Sequence, residues 1–516
     1  MKRYLHLLLA LSLPASALAD WPQWRGANRN GIATEGSPLS KTWPTEGPKK
    51  VWESEAEIPS NDDGGHGSPV VADGKVYLSV VWHTDVPTDS RRIDELVLRK
   101  LGHRKLNLPE ALVEKMEAAR VGRNPRLRGD KLDQWIGSWI AENLDEDQTT
   151  RLDGWIKGRF KKGKSAIPIK DLEVIGAQRD RVFAGQAELE EWVAAQGFSE
   201  RVATAVLAAV PATKKVANDV ILCIDAASGK TIFKSELPGE PTGRKSSSTP
   251  CVSGGKVYAV GSTRVFCVDA ETGEKVWETP IAAKGVASSV LVEDGIVIAL
   301  CGKLSAYDAR TGAELWQNKE FGGQSSSPAI WRHAAGALIL CNGQKTFGGI
   351  DLKTGETRWS FAGGGDSTPA VSGDHCAVYS KHKDAGLSVY TLDPASPTKL
   401  WSLPLKTRRY CSSPIIYQDK VYLLGGSQHL CADLEGGEPH WNEKRNSEIS
   451  SPLLADGKLF VLDTNGSFLS MLRASPAGYE ELARAKLRAM RCPSPAFSAG
   501  HLYLRTDDRI ACFDLR

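Results

Sequence analysis

Two hydropathy patterns share this chain. Over most of it, short apolar stretches alternate with Gly- and Asp-containing turns, as in Val252-Ser-Gly-Gly-Lys-Val257. That pattern predicts short strands joined by tight turns. Between Trp82 and Val220 helical spacing takes over. Leu132, Trp135, Ile136, Trp139 and Ile140 fall at i, i+3, i+4, i+7 and i+8, which is one face of a helix. Leu152, Trp155 and Ile156 begin the same pattern again, as do Leu189, Trp192 and Val193.

The strand-forming part is a repeat. Cys267-Val-Asp269-Ala-Glu-Thr-Gly273 leads to Trp277, Ala306-Tyr-Asp308-Ala-Arg-Thr-Gly312 to Trp316, and Gly349-Ile-Asp351-Leu-Lys-Thr-Gly355 to Trp359. Weaker copies run from Asp225 to Phe233, Asp393 to Trp401 and Asp433 to Trp441. These aspartates are spaced by 44, 39, 43, 42 and 40 residues, and an aromatic side chain follows each at the eighth position. Asp514 lies 81 residues beyond Asp433, which leaves room for one degenerate copy near Leu472 and makes eight units. A Ser/Thr-Pro step opens most units, as at Ser68-Pro69, Thr249-Pro250, Ser327-Pro328, Thr368-Pro369, Ser413-Pro414 and Ser451-Pro452.

Four short strands per unit describe a propeller blade. The expected fold is all-β: an eight-bladed β-propeller with an α-helical insertion in its first blade. The Thr-Gly pair supplies a tight turn, and the large aromatic is placed to wedge between adjacent sheets. The docking set is Trp52, Phe233, Trp277, Trp316, Trp359, Trp401 and Trp441. The last unit stops at Asp514-Leu515-Arg516 without a Trp-bearing strand, and the missing piece stands near the other end. Lys50-Val51-Trp52-Glu53 is identical to Lys275-Val276-Trp277-Glu278. An amino-terminal strand that completes the final blade would latch the ring and remove an open edge.

The Asp-x-x-Thr-Gly-x-x-x-Trp repeat resembles the tryptophan-docking motif of eight-bladed, pyrroloquinoline-quinone-type propellers. The stretch Trp21-Pro-Gln-Trp24-Arg25-Gly26 is similar to the start of exported bacterial members of that superfamily. The resemblance implies the fold and leaves function open. Its dehydrogenases need Ca2+, a catalytic Asp and usually two adjacent cysteines, and this chain has no adjacent cysteines.

Lys2 and Arg3, the apolar run Leu5 to Leu13 and the small-residue end Ala17-Leu18-Ala19 read as a signal peptide, residues 1–19, cleaved after Ala19. The protein is therefore expected to be periplasmic or secreted. The expected organisation is residues 20–86 as closing strand and first half of blade one, 87–216 as helical insertion, and 217–516 as the remaining propeller. No later run has the 18 apolar residues of a transmembrane helix. The insertion is expected to pack on itself and to lie over or beside the channel mouth.

A net charge of +3, with 65 Lys and Arg against 62 Asp and Glu, gives no basis for a nucleic-acid partner. Of ten cysteines, Cys223, Cys267, Cys431 and Cys512 each sit two residues before an Asp in an apolar run, as buried side chains do. Gly158-Arg-Phe-Lys-Lys-Gly163-Lys164-Ser165 matches a P-loop formally, but its flanks lack the strand and helix that aim amides at phosphate, so no nucleotide is expected.

Propeller ligands sit at one mouth of the central channel, on loops entering the innermost strands. Those loops carry His66, Lys245, Gln324, Asp366, Arg408, Arg409, Tyr410, Glu448 and Arg491 as candidate binding residues. No nucleophile elbow or zinc helix appears. The expectation is a non-catalytic binding or assembly scaffold, with an envelope protein or extended peptide as partner and no cofactor. The alternative is a pyrroloquinoline-quinone- and Ca2+-dependent alcohol or sugar dehydrogenase.

Overall fold

A computed structural model describes residues 20–34, 38–382, 385–405, 411–425, 428–445 and 450–516. The chain forms two compact units: Thr84–Val216, and the remainder.

The larger unit is built from antiparallel four-stranded sheets, eight of them among the described residues. The second is typical: Cys251–Ser253, Lys256–Val260, Arg264–Asp269 and Lys275–Pro280 follow one another as a meander. Its middle strands read as continuous apolar runs because both faces are covered. Val257, Ala259, Val265, Cys267 and Val268 are all fully buried. Its outermost strand is exposed except at Trp277. Apolar layers lie between consecutive sheets: Tyr258, Cys267 and Trp277 of the second pack with Val297, Ala299 and Tyr307 of the third.

The first sheet orders Val70–Ala72, Lys75–Pro87, Thr213–Asp225 and Thr231–Gly239. Its middle strands are longer than the sequence pattern indicated, running past Trp82 and starting before Val220. The eighth sheet joins Ala496–Ser498, His501–Arg505 and Ile510–Asp514 to Lys49–Glu53, in the order expected for the closing strand. Lys50 pairs with Phe513, and Trp52 with Cys512 across a bulge. The repeat near Leu472 is also a full sheet, with Leu472 in the strand Phe468–Arg473.

Two sets of hydrogen bonds stitch neighbouring sheets together. On the outside, five indoles reach the turn that follows the next sheet's third strand. Trp52 Nε1 donates to Ala226 O (3.0 Å), Trp277 to Ala309 O (2.9 Å), Trp316 to Leu352 O (3.1 Å), Trp401 to Leu434 O (2.7 Å) and Trp441 to Ser475 O (2.9 Å). Phe233, which has no N–H, packs on Gly273. The turn glycine is needed for two reasons, as Gly355 shows. Its φ is +73°, and a Cβ there would stand 2.4 Å from the Trp316 ring. Trp359 is the exception: it is buried, but its Nε1 has no acceptor. The facing turn, after Asp393, has Pro397 where the others have Gly. Without an N–H, Pro397 cannot make the bond to the Asp carbonyl that Gly355 makes to Asp351.

On the inside, one Ser or Thr per sheet, followed by Pro in all but Ser289, forms a closed circle. The backbone N–H of Ser68 donates to Thr249 Oγ1, that of Thr249 to Ser289 Oγ, and so on through Ser327, Thr368, Ser413, Ser451 and Ser494. Ser494 N then returns to Ser68 Oγ. The distances run from 2.8 Å (Ser289 to Ser327) to 3.3 Å (Ser327 to Thr368).

The unit Thr84–Val216 contains seven α-helices among its described residues, from Glu95–Leu101 to Glu200–Ala209. The amphipathic stripes fill two apolar clusters, one around Leu98, Ile175 and Val206 and one around Ile136, Ile156 and Phe160. Glu117 organises the second region. Its carboxylate accepts from Arg120 (2.8 and 2.6 Å), Arg159 (2.8 Å) and Ile169 N (3.2 Å). The P-loop-like run falls at the end of the helix Glu146–Lys162, followed by a single 3-10 turn, Gly163–Ser165. The Gly163 carbonyl is taken by Arg120 Nη1 at 2.5 Å, so the run closes a helix where a P-loop opens one.

Candidate functional site

Two positions before the Ser/Thr of seven of the sheets, on the loops entering the inner strands, stand His66, Ser247, Ala287, Ser325, Asp366, Cys411 and Cys492, and all line one cavity of about 470 Å³. Below them stand Ser68, Thr249, Ser289, Ser327 and Thr368 from the hydrogen-bonded circle; Lys245, Gln324 and Arg491 contribute from further out. Five of the sequence-derived candidates, His66, Lys245, Gln324, Asp366 and Arg491, thus meet in one place. Arg408, Arg409, Tyr410 and Glu448 lie outside the described residues.

Trp24 is the floor. Its indole lines the cavity and donates to Thr368 Oγ1 at 3.1 Å. It belongs to an amino-terminal segment that crosses the axis beneath the hydroxyl circle and is fastened on many sides. Trp21 exchanges two backbone bonds with Val71 of the first sheet, each 2.9 Å, and Pro22 O accepts from Val252 of the second at 2.8 Å. Arg29 donates to Val290 O (2.7 Å) and Ser289 O (3.1 Å) of the third, and Arg25 to Pro414 O of the sixth. Gly31 and Ala33 bracket Leu454 of the seventh with bonds of 2.8 Å. The channel is stoppered, and the cavity is a cup.

The stopper buries two guanidiniums that meet no carboxylate among the described residues. Arg25 is 3% and Arg29 1% exposed, and their acceptors are carbonyls and the Gln23 side chain. Burial, then the charge of Arg29, pushes Arg25 down to about 9, and burial pushes Arg29 down to about 10.

The cup is electrically lopsided. Arg244, Lys245 and Arg491 come from the second and eighth sheets; Asp366 comes from the fifth, on the far side of the circle. Arg244 is held by Asp62, Nη2 to Oδ1 at 2.5 Å. His83 braces the Lys245 loop: its Nε2 accepts from Thr242 N (2.9 Å) and Gly243 N (3.0 Å), so its Nδ1 carries the proton given to Asp63 O (2.8 Å). Burial pushes His66 down to about 3, assisted by the Arg505, Arg244 and Arg491 charges, so its ring is neutral at ordinary pH. Cys411 Sγ approaches Asp366 Oδ2 at 3.8 Å.

Three features of this site were missed in the sequence: the hydroxyl circle, the Trp24 floor and the Arg25–Arg29 stopper. The recurring Ser/Thr-Pro steps were a signal for the first. The cluster Trp21-Pro-Gln-Trp24-Arg25, apolar and cationic outside any repeat, was a signal for the others.

The donor set of the described lining residues does not suit a calcium-held quinone. Asp366 is the single carboxylate among the described lining residues, and no group of three His, Cys, Asp or Glu side chains among the described residues is arranged to hold a metal. Nor does any described helix have the length and apolarity to cross a membrane.

Known proteins share this architecture. The "outer membrane protein assembly factor BamB" of Yersinia pestis is 25% identical over 278 residues, 48% of this chain and 68% of that protein. The crystal structure of BamB from Moraxella catarrhalis superposes with a TM-score of 0.46 at 16% identity, covering 56% of this chain and 87% of that one. The quinohemoprotein alcohol dehydrogenase of Comamonas testosteroni gives a TM-score of 0.51 at 12% identity, covering 96% of this chain and 80% of that one, a likeness of fold. A family model described as "outer membrane protein assembly factor BamB" matches residues 217–360 and 301–477. Those two matches together span about half of the chain, which belongs to this family of pyrroloquinoline-quinone-like propeller proteins.

Proposed function

We propose that the chain is an exported eight-bladed propeller, latched by its amino-terminal strand and docked by its tryptophans, with a helical insertion in the first blade. It acts as a non-catalytic binding or assembly scaffold of the cell envelope, engaging an envelope protein or an extended peptide at the cup. The observation that carries this reading is the stoppered cup. It offers polar side chains and cations around a closed floor, with Asp366 as the single carboxylate among the described lining residues. Membership of the assembly-factor family and the signal-peptide pattern of residues 1–19 support placement in the envelope. His66, Lys245, Gln324, Asp366 and Arg491 are the binding residues assigned on this reading, with Arg408, Arg409, Tyr410 and Glu448 as their counterparts on the neighbouring loops.

The test is a pair of measurements on the full-length mature protein. Reconstitution with pyrroloquinoline quinone and Ca2+ is expected to give no dye-linked oxidation of alcohols or sugars. Recovery of an envelope partner is expected to be lost in the double variant Lys245→Ala, Arg491→Ala. Turnover in the first measurement would replace the scaffold reading with the dehydrogenase.

A further inference from the structure

The helical unit has a hollow of its own, of about 520 Å³, and every described residue lining it belongs to that unit. It is bounded by the helices Glu146–Lys162 and Glu200–Ala209 and by the end of Glu95–Leu101. Its size is that of an ordinary small-molecule site. The P-loop-like run supplies Gly158, Lys162 and Ser165 to it. Gly158 stands inside a helix, where glycine is disfavoured relative to alanine. A Cβ there would meet nothing within 4 Å, so the space beside it is open.

Three cations gather at one end. Lys162 is exposed, and its amine has no partner among the described residues. Three residues earlier, on the same helix face, Arg159 is 5% exposed. Its Nη2 donates to Glu117 Oε1 and Ile167 O, each at 2.8 Å, and its Nε is buried without an acceptor. Glu117 also holds Arg120, so one carboxylate serves two guanidiniums. Arg201, on the helix Glu200–Ala209, gives its Nη1 to Ser165 O (2.7 Å) and meets no carboxylate among the described residues. No Asp or Glu stands among the described lining residues. Glu146 and Asp147 open the same helix as Arg159, about 18–20 Å before it at 1.5 Å per residue, which is about two Debye lengths.

The rest of the wall is apolar, with Leu101, Trp155, Ile167, Ala205 and Ala209. Its neutral polar side chains are already spent: Trp155 Nε1 donates to Gly102 O (3.0 Å) and Ser165 Oγ to Lys162 O (2.7 Å). Lys100 stands beside Ala208, its Nζ 3.5 Å from that carbonyl, about 10 Å along the helix from Arg201. A nucleotide, sugar or peptide laid on this wall would leave its own polar groups unmet. A bare anion would leave the apolar surface wet.

We propose that this hollow binds a single-chain amphiphile, an oxyanion head on an apolar body. Arg159, Lys162 and Arg201 receive the head through charge-assisted bonds. The body lies along Trp155 and the open side of Gly158. This site is separate from the cup, and the scaffold reading neither requires it nor falls with it.

The experiment titrates the full-length mature protein with dodecanoate, dodecyl phosphate and dodecanol, each below its aggregation threshold, by calorimetry. At least one of the two acids is expected to bind tenfold or more tightly than dodecanol, and the tighter of them identifies the head. Gly158→Leu fills the hollow from a position with room for a side chain. It is expected to abolish binding and to leave the melting temperature in place or raise it. Lys162→Glu, at an exposed position, is expected to weaken the acids at least tenfold and leave dodecanol unchanged. Equal affinity for the acids and dodecanol, or no binding of either acid, would overturn the proposal. Displacement of dodecanoate by an equal concentration of inorganic phosphate or ATP would overturn it too, as would undiminished binding in the Gly158→Leu variant.

Discussion

The outer belt of indoles and the inner circle of hydroxyls join the same sheets and behave differently. The belt is interrupted. Phe233 has no N–H, Trp359 has no acceptor, and the seventh sheet's last strand, Glu481–Lys486, contributes no aromatic. The circle has no gap: eight amides meet eight hydroxyls and the last returns to the first. A large buried ring stabilises mainly by the apolar area it removes from water, which tolerates a lost hydrogen bond. The circle has little apolar area to offer. Its contribution is the satisfaction of buried amides and the angular spacing of the sheets, and one missing link would strand a buried N–H.

The comparison can be broken or sharpened by experiment. Deleting residues 20–57 removes the closing strand, Trp52 and the stopper together. It is expected to abolish cooperative unfolding, and a sharp melt at the wild-type temperature in calorimetry would refute the latch. Trp277→Ala should cost about 3–5 kcal/mol in denaturant unfolding, as a large-to-small change at a buried ring. Ser327→Ala leaves the buried Ser289 amide without its acceptor and should cost about 1–3 kcal/mol. Finally, Trp316→Phe should cost about 1 kcal/mol more than Trp359→Phe, because only Trp316 has an indole bond to lose. Equal costs would show that the belt's hydrogen bonds add nothing to its packing.

What the sequence disclosed follows from how local each signal is. The Asp turn, its glycine and the aromatic eight residues on are neighbours in the chain, so the sheets were legible from composition and spacing. The closing strand was legible despite its distance because Lys50-Val51-Trp52-Glu53 copies a strand elsewhere. The hydroxyl circle was seen only as a recurrent Ser/Thr-Pro step. The partner of each hydroxyl lies a whole unit away, and Ser289, followed by Val290 where the others have Pro, did not match the pattern. Of the cup, the residues flanking each step were legible because they hold fixed offsets. The stopper was not, because Arg25 and Arg29 bind backbone carbonyls, and a carbonyl leaves no mark on residue type.

The position of the closing strand has a consequence for timing. Lys49–Glu53 leaves the ribosome about 460 residues ahead of Ile510–Asp514, its partner in the eighth sheet. At about 5–20 residues per second, that is roughly 20–90 s during which the strand exists with an unpaired edge. A strand made early is thus secured only when the last one is made, and contacts this distant are slow to form. Any factor that shields residues 49–53 until synthesis ends, or any delay in the final stretch, would set the yield of finished rings without altering the stability of a single one.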